Sequence, residues 1–247
     1  MLLDDVTASD QRDDGLVCWD MCGRAALTIS AQDLRDAFAL DETPSVEPHF
    51  NLTPSQQVAV VRRIVGALGR KLEWMQWGLV PCWAADRKVG NKLALARVET
   101  VTTSHAFREA IRKRRCLVVV DGFYEWRREG KAQRQPFFFR RPDGAPLALG
   151  GLWERWNAPD GEIVESCAIV TQPARPPADA VHDRMPLVVE RETWQRWLDP
   201  SITADHALAP MLEPRTPPLV AYAVSTHVND PKNDDARCIQ PSEPVQR

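Results

Sequence analysis

The sequence lacks an apolar run long enough to cross a membrane, and it lacks a secretory signal. A transmembrane helix needs about 18 or more consecutive apolar residues, and charged residues interrupt every apolar run of this chain well before that length. The chain turns acidic directly after Leu3, whereas a signal peptide starts with positive charge. We therefore expect a cytoplasmic protein with no membrane partner.

Paired metal-binding cysteines are also missing. The six cysteines form no Cys-x-x-Cys pair and show no Cys/His spacing typical of a zinc site. Scattered cysteines are typical of a reduced protein whose thiols are free. We expect neither a bound metal nor any other cofactor.

The net charge of −3 is unevenly distributed. Residues 1–20 hold six Asp and one Arg, a net of −5, which leaves +2 for residues 21–247. The first 20 residues are rich in Asp, Ser and Thr and poor in aromatics, so they are predicted to be a disordered leader. Alternatively, the true start codon is Met21. A balance of +2 in the remaining chain is weak evidence for nucleic-acid binding, because clustering of the basic residues matters more.

Many strands and few helices are predicted. A chain of 247 residues suffices for one large domain or two small ones, and it contains no internal repeat. Apolar patterning predicts strands at residues 22–29, 57–64, 70–77, 116–120, 166–171, 186–190 and 219–225, with a hairpin joining 137–139 to 147–149. Helices are predicted at residues 30–40, 104–115 and 192–198. This pattern favours an α+β fold over a parallel βαβ array.

The dipeptide Met21-Cys22 offers a distinctive chemistry. If translation starts at Met21 and that residue is removed, Cys22 carries an α-amine and a thiol, with unperturbed pKa values of about 8 and about 8.5. Both groups are then partly deprotonated near neutral pH, and both can attack an aldehyde. The amine gives an imine, and the thiol can close a thiazolidine ring on it. A lone cysteine is more often a small buried apolar residue, so other residues must support this interpretation.

Six further segments, together with this dipeptide, resemble one family. The chain is similar to the SOS response-associated peptidase (SRAP) family, the abasic-site processing proteins, at residues 21–24, 50–54, 77–81, 96–100, 115–126, 182–186 and 239–241. The resemblance implies a single α+β domain over residues 21–247, with a mixed, barrel-like sheet flanked by short helices. It also implies a function in the DNA-damage (SOS) response, in which a monomer binds single-stranded DNA and forms a covalent thiazolidine crosslink with abasic sites through an N-terminal cysteine. The protein would then associate with the nucleoid of a bacterial-type cell.

The resemblance also implies residue roles. Cys22 is the nucleophile, and Glu125 and His182 transfer the protons. Arg24 and Arg97 contact phosphates, because arginine is planar and always charged. Further contacts to the DNA strand or to the loop over the cysteine are implied for the following residues: Trp83, Asn51, Pro54 and Thr171.

Two features depart from the family pattern. Leu95 occupies a position where the family has Asn, two residues before Arg97, and leucine cannot hydrogen-bond an imine nitrogen or a sugar oxygen. The leader would leave Cys22 without a free amine. We therefore expect slower crosslinking, and an active form that begins at Cys22.

Two other functions remain open. Cys22, His182 and Glu125 could serve a cysteine peptidase, including one that acts only once on its own leader, or the protein could bind single-stranded DNA without catalysis. Equally, Glu125 could pair with an arginine, and His182 could fix its Pro-rich loop. Neither residue alone decides among these alternatives.

Overall fold

The computed structural model describes residues 23–63, 69–129, 133–215 and 217–242. Within these ranges the strands are β1 (Ala25–Leu27), β2 (His49–Leu52), β3 (Gln57–Arg63), β4 (Arg70–Trp77), β5 (Leu95–Arg97), β6 (Arg115–Val120), β7 (Gly122–Glu129), β8 (Gln133–Arg140), β9 (Leu147–Asn157), β10 (Ile163–Pro173), β11 (Arg184–Pro186) and β12 (Val220–Ala223). The α-helices are α1 (Ala31–Phe38), α2 (Arg108–Lys113), α3 (Trp194–Trp197) and α4 (Asp205–Leu212). The predicted leader and Cys22 lie outside the described residues.

Five strands close into a barrel. β3 pairs with β4 and β6, β9 pairs with β6 and β10, and β10 pairs with β4 to complete the ring. The β4–β10 pairing is parallel, with Ser166 beside Gln76, and the other four are antiparallel. β5 and β11 extend this sheet by pairing with β10. The predicted single α+β domain with a mixed, barrel-like sheet is confirmed.

A second, antiparallel sheet has the strand order β12-β8-β7-β1-β2. Side chains along a strand point alternately to opposite faces. Phe123 therefore joins the barrel residues in the main hydrophobic core, whereas Tyr124 packs with Phe138 on the other face. The chain after β12 covers that other face with Val228 and Cys238. Apolar residues therefore pack against both faces of this sheet.

Elements with strong local signals form where they were predicted. Ser30 caps α1 by accepting a hydrogen bond from the Asp33 N–H at 3.1 Å, and Leu34 and Phe38 are fully buried. Every residue of β6 is buried, as a continuous apolar run predicts. β3 and β4 also match their predicted bounds within the described residues.

The predicted hairpin between residues 137–139 and 147–149 is wrong. β8 pairs with β7 and β12 in the second sheet, whereas β9 pairs with β6 and β10 in the barrel. The turn at residues 142–144 does form, with Asp143 accepting a hydrogen bond from the Ala145 N–H at 3.0 Å. A turn signal shows that the chain changes direction, but distant strands decide which sheet each flank joins.

Only some of the basic residues between positions 108 and 115 face the solvent. α2 begins at Arg108 rather than directly after Ser104, and Arg112 pairs with Asp205 at 3.0 Å on the surface. Arg115 instead begins β6 and is buried. Its guanidinium donates to the backbone carbonyls of Ile111, Arg112, Trp197, Asp199 and Ile202. Arg115 therefore joins the C-terminal helices to the barrel.

Near the C-terminus the predictions are less accurate. The strand predicted at residues 186–190 is instead β11, Arg184–Pro186, after which Val188 forms an isolated bridge with Leu149. Helix α4 was not predicted, because Pro210 lies inside it and the surrounding tail is rich in proline. No helix in the described part of the chain is long and apolar enough to cross a membrane.

We predict that Gly78→Ala destabilises the fold more than Gly144→Ala. Gly78 has a φ of +130°, and a Cβ there would lie 2.7 Å from the carbonyl oxygen of Gly90; Gly144 has a φ of +73° but open space around it. Left-handed backbone alone costs about 1–2 kcal/mol in alanine, and the crowding should add about 1–3 kcal/mol. Urea unfolding of both variants measures the difference, and equal losses would contradict the prediction.

Candidate functional site

Pairing between β1 and β7 places Glu125 opposite the start of the described chain. Ala25 pairs with Phe123, and the Tyr124 N–H donates to the Arg24 carbonyl at 3.0 Å. One further step along this register sets Gly23 opposite Glu125. Glu125 is 1% exposed and shares its face of β7 with Phe123, toward the barrel. A buried carboxylate thus lies beside the residue that follows Cys22 in the sequence.

Arg24 and Asn51 hold the segment 228–233. The Arg24 guanidinium donates to the carbonyl of Val228 at 2.6 Å, to that of Asn229 at 3.2 Å and to Asn51 Oδ1 at 2.8 Å. The Asn51 amide donates to the carbonyls of Val228, Asp230 and Asn233 at 2.8–3.1 Å. Both side chains are buried, and burial lowers the pKa of Arg24. These contacts are structural, and a phosphate contact for Arg24 stays a prediction.

A cleft of about 370 Å³ opens beside the contacts that Arg24 makes. It is lined by Gly23, Arg24, Trp126, Arg134, Asn229 and Pro231. The Trp126 indole donates to Asn229 Oδ1 at 2.7 Å, and the Arg24 guanidinium lies 5.7 Å from the Trp126 ring centroid. Trp126 shares its face of β7 with Tyr124, so this cleft lies on the side of the sheet opposite to Glu125.

A second group of predicted residues meets at the end of β10. Thr171 pairs with Arg97 on β5 and with Pro186 on β11. The buried Thr171 hydroxyl contacts the Ala96 carbonyl at 3.3 Å, whereas Arg97 is exposed. His182 precedes β11, and its Nδ1 accepts a hydrogen bond from the Arg184 N–H at 3.0 Å. Strand pairing therefore brings an exposed arginine, a threonine and a histidine to one end of the barrel.

Trp83 and Pro54 lie on loops that connect the strands. The Trp83 side chain is 54% exposed, and its ring centroid lies 4.6 Å from that of His105. Pro54 precedes Ser55, whose N–H donates to the Trp77 carbonyl at 2.6 Å and whose hydroxyl donates to Asn91 at 3.1 Å. The Pro54 loop is thus held against the chain that leads into β5.

Leu95 is half-buried at the start of β5 and packs against the main core. It pairs with Ile169 in the parallel ladder to β10. Because side chains alternate along a strand, Leu95 and Arg97 lie on the same face of β5. The position at which leucine replaces the asparagine of the family pattern therefore lies next to the exposed Arg97.

In the described part of the chain, one cluster contains three side chains whose atoms could bind a metal ion. A nitrogen of His227, an oxygen of Asp235 and the sulfur of Cys238 lie within 4.8 Å of one another. Their hydrogen bonds already join them to neighbours: His227 Nε2 to Asp235 at 3.0 Å, Asp235 to Arg237 at 2.7 Å, and Cys238 to the Asn233 carbonyl at 3.4 Å. Burial and nearby carboxylates raise the pKa of Cys238. This arrangement stabilises the segment that Asn51 and Arg24 hold.

Three polar residues near the site were missed in the sequence. Asp234 accepts from the Phe50 N–H and, at 3.0 Å, from the Asn51 N–H. Glu99 and Arg184 form an ion pair at 2.6 Å. Glu99 and Arg184 lie inside two of the segments that resemble the family, 96–100 and 182–186. They could therefore have been found from the sequence. Asp234 has no such signal, because its partners lie more than 180 residues away.

Comparison with known proteins identifies relatives over most of the chain. A family model described as "SOS response associated peptidase (SRAP)" matches residues 21–231. Abasic site processing protein YoqW of Bacillus subtilis is 34% identical over 224 residues, covering 89% of this chain and 99% of that protein. Abasic site processing protein HMCES of Mus musculus is 26% identical over 271 residues, covering 90% and 76%.

Solved structures share the fold. A crystal structure of a protein from Bacteroides thetaiotaomicron has a TM-score of 0.77 at 23% identity and covers 90% of this chain and 100% of its own. Another, from Bordetella bronchiseptica, has a TM-score of 0.70 at 28% identity and covers 83% and 100%.

We predict that Asn51→Ala lowers the free energy of unfolding by about 2–3 kcal/mol, because buried carbonyls lose their donors. Hydrogen exchange of residues 228–233 should also become faster than in the parent. The matched control is Gln32→Ala, which removes an exposed amide that donates to Asp36 and should change stability by less than about 0.5 kcal/mol. Equal stability of the two variants in urea would contradict this role for Asn51.

Proposed function

The chain belongs to the SOS response associated peptidase family, and on that premise we propose that it captures abasic sites in single-stranded DNA. The capture is a covalent link between the DNA and an N-terminal Cys22. Relatives named abasic site processing protein supply the substrate class. The chain then acts in the response to DNA damage, in the cytoplasm of a bacterial-type cell.

The observation that carries this proposal is the position of Glu125. Its carboxylate is buried, and the β1–β7 register sets it opposite Gly23, the residue bonded to Cys22. A carboxylate beside an N-terminal amine can exchange protons with that amine and with the groups that form on it.

The chemistry needs an aldehyde and both nucleophiles of Cys22. The ring-opened abasic sugar has an aldehyde carbon, which the α-amine attacks to form a C–N bond and a carbinolamine. Loss of water gives an imine. The thiol sulfur then bonds to the same carbon, and its proton passes to the nitrogen, closing a thiazolidine ring. No atom is oxidised or reduced, so no cofactor is required for this sequence.

Glu125 and His182 are assigned the proton transfers. Opening of the sugar ring needs a proton on the ring oxygen, and loss of water from the carbinolamine needs a proton on the departing hydroxyl. A positioned carboxyl group or imidazole typically accelerates such a step about 10²–10⁴-fold. Cys22, Glu125 and His182 would also serve a single cleavage of the leader, and lyase activity would follow from the imine.

Exposed groups supply the contacts to DNA in this proposal. Arg97 is exposed and suited to a phosphate, and Trp83 presents an aromatic face on which a base can stack. Thr171 and the Pro54 loop shape the surface between them. Arg24 contributes by holding the chain next to Cys22, and any phosphate contact it makes is additional.

The proposal requires a free amine on Cys22, so residues 1–21 must be absent from the active form. The family match begins at residue 21. The acidic leader would also repel phosphates, since DNA binding is dominated by charge. Intact-mass measurement of active protein from its own cells tests this requirement. Full activity in protein that still carries Met1 would overturn it.

We predict that Cys22→Ala abolishes a heat-stable adduct with an abasic single-stranded oligonucleotide. Alanine keeps the amine but loses the thiol, so only a reversible imine can form, and it should survive heating only after borohydride reduction. The matched control is Cys82→Ser, which removes the exposed thiol of Cys82 and should leave the adduct unchanged. Denaturing gels give both readouts.

The same gel separates the other functions. An intact oligonucleotide that is bound without an adduct, with no adduct on abasic DNA, would indicate a non-catalytic binder. Cleavage of an unrelated protein substrate would indicate a peptidase. A heat-stable adduct of the alanine variant without reductant would contradict the thiazolidine.

We predict that Leu95→Asn speeds crosslinking about two- to tenfold, because a side-chain hydrogen bond is worth about 0.5–1.5 kcal/mol. Affinity for intact DNA should change little. Stability should fall by about 1 kcal/mol, since a half-buried apolar contact is lost. Leu95→Ala is the matched control: it loses the contact without gaining an amide. Single-turnover rates decide, and equal acceleration by alanine would show that space, not hydrogen bonding, limits the parent.

A further inference from the structure

The Trp83 side chain is exposed, and in the described part of the chain it makes no hydrogen bond. Trp156 and Trp197 are buried, and each donates its indole N–H to a backbone carbonyl at 2.7 Å. Trp83 instead contacts the ring of His105, with the two centroids 4.6 Å apart and the ring planes tilted by 49°. Aromatic rings attract each other at this separation. The contact with His105 is therefore what orients the Trp83 indole.

The backbone around Trp83 is fixed independently of His105. The Ala84 N–H donates to the Pro81 carbonyl at 2.9 Å, which closes a turn around Trp83. The Ala84 carbonyl in turn accepts a hydrogen bond from the Trp156 indole at 2.7 Å. Loss of the ring contact would thus leave the loop in place and free only the side-chain torsions of Trp83. An unrestrained side chain can populate up to three staggered wells at χ1.

His105 belongs to a segment of successive turns that starts at the exposed Arg97. The Thr100 N–H donates to the Arg97 carbonyl at 3.1 Å, and the Ser104 N–H donates to the Thr100 carbonyl at 2.8 Å. Phe107 is buried, and its N–H donates to the Ser104 carbonyl at 3.1 Å. These turns give His105 a fixed place on the segment that also carries an arginine assigned to a phosphate.

We propose that His105 is a positioning residue, which holds the Trp83 indole in the orientation in which a base of single-stranded DNA stacks on it. The contact also joins the stacking ring to the segment that carries Arg97. A freed indole would adopt this orientation only part of the time, and the affinity for DNA falls by that fraction. The effect on DNA rests on the proposed function, whereas the orientation of the ring does not.

Affinity for an intact single-stranded oligonucleotide, measured at one fixed salt concentration, tests the proposal in the full chain. His105→Ala should weaken binding about two- to tenfold, because the indole then shares its population among several orientations. His105→Phe keeps an aromatic ring against Trp83 and should bind within about twofold of the parent. The control is His206→Ala, which removes an exposed histidine of α4 and should bind like the parent.

A double-mutant cycle separates positioning from a direct contact with DNA. Trp83→Ala should weaken binding more than His105→Ala does, because stacking is lost outright. Adding His105→Ala to Trp83→Ala should then change the affinity by less than about 1.5-fold, since no indole remains to be oriented. Losses that multiply would show that His105 contacts DNA itself, and the proposal would be wrong. Equal losses in His105→Ala and His105→Phe would also overturn it.

The orientation of the indole is measured without DNA. The ¹⁵N order parameter of the Trp83 indole N–H, a signal identified by its absence in Trp83→Ala, should fall in His105→Ala and be retained in His105→Phe. An order parameter that is equal in His105→Ala and the parent would overturn the proposal, whatever the affinities. If both tests behave as expected but the parent forms no crosslink with abasic DNA, the positioning role stands and the proposed function fails.

Discussion

The parallel pairing of β10 with β4 is the constraint on which the rest of the structure depends. It joins residues about 90 positions apart, with Ser166 beside Gln76, and it closes the five-stranded barrel. β10 also pairs with β9, β5 and β11, so one strand carries both the closure of the core and the end of the barrel where Thr171 lies. Closing a sheet removes its exposed edges and fixes the places where the added short strands must end.

Three buried arginines connect separate segments of the chain. Arg24, Arg115 and Arg184 are buried cations, and each donates several hydrogen bonds to carbonyls or to a carboxylate. Such groups would be destabilising without partners, because burial removes their hydration. Here they connect segments that are far apart in the sequence.

Much of the fold could be predicted from local patterns, because their causes are local. The capped helix α1, the strands β3 and β4 and the apolar strand β6 each have residues that suit one kind of element. The candidate site was predicted as a set of residue types in segments that resemble one family. The partners of Arg115 and the sheet membership of β8 and β9 could not be predicted, since both depend on residues far away in the chain.

The sequence by itself determined the class of fold, the family and the chemical groups available for an aldehyde: a cysteine after a methionine, a carboxylate and an imidazole. Only the tertiary structure decided that the strand of Glu125 pairs with the strand that follows Cys22, that Arg24 and Asn51 hold the segment 228–233, and that the Arg184 N–H donates to His182. The physical reason is that strand register and side-chain hydrogen bonds join residues up to about 200 positions apart. Local patterns contain no information about which distant partner will satisfy a buried donor.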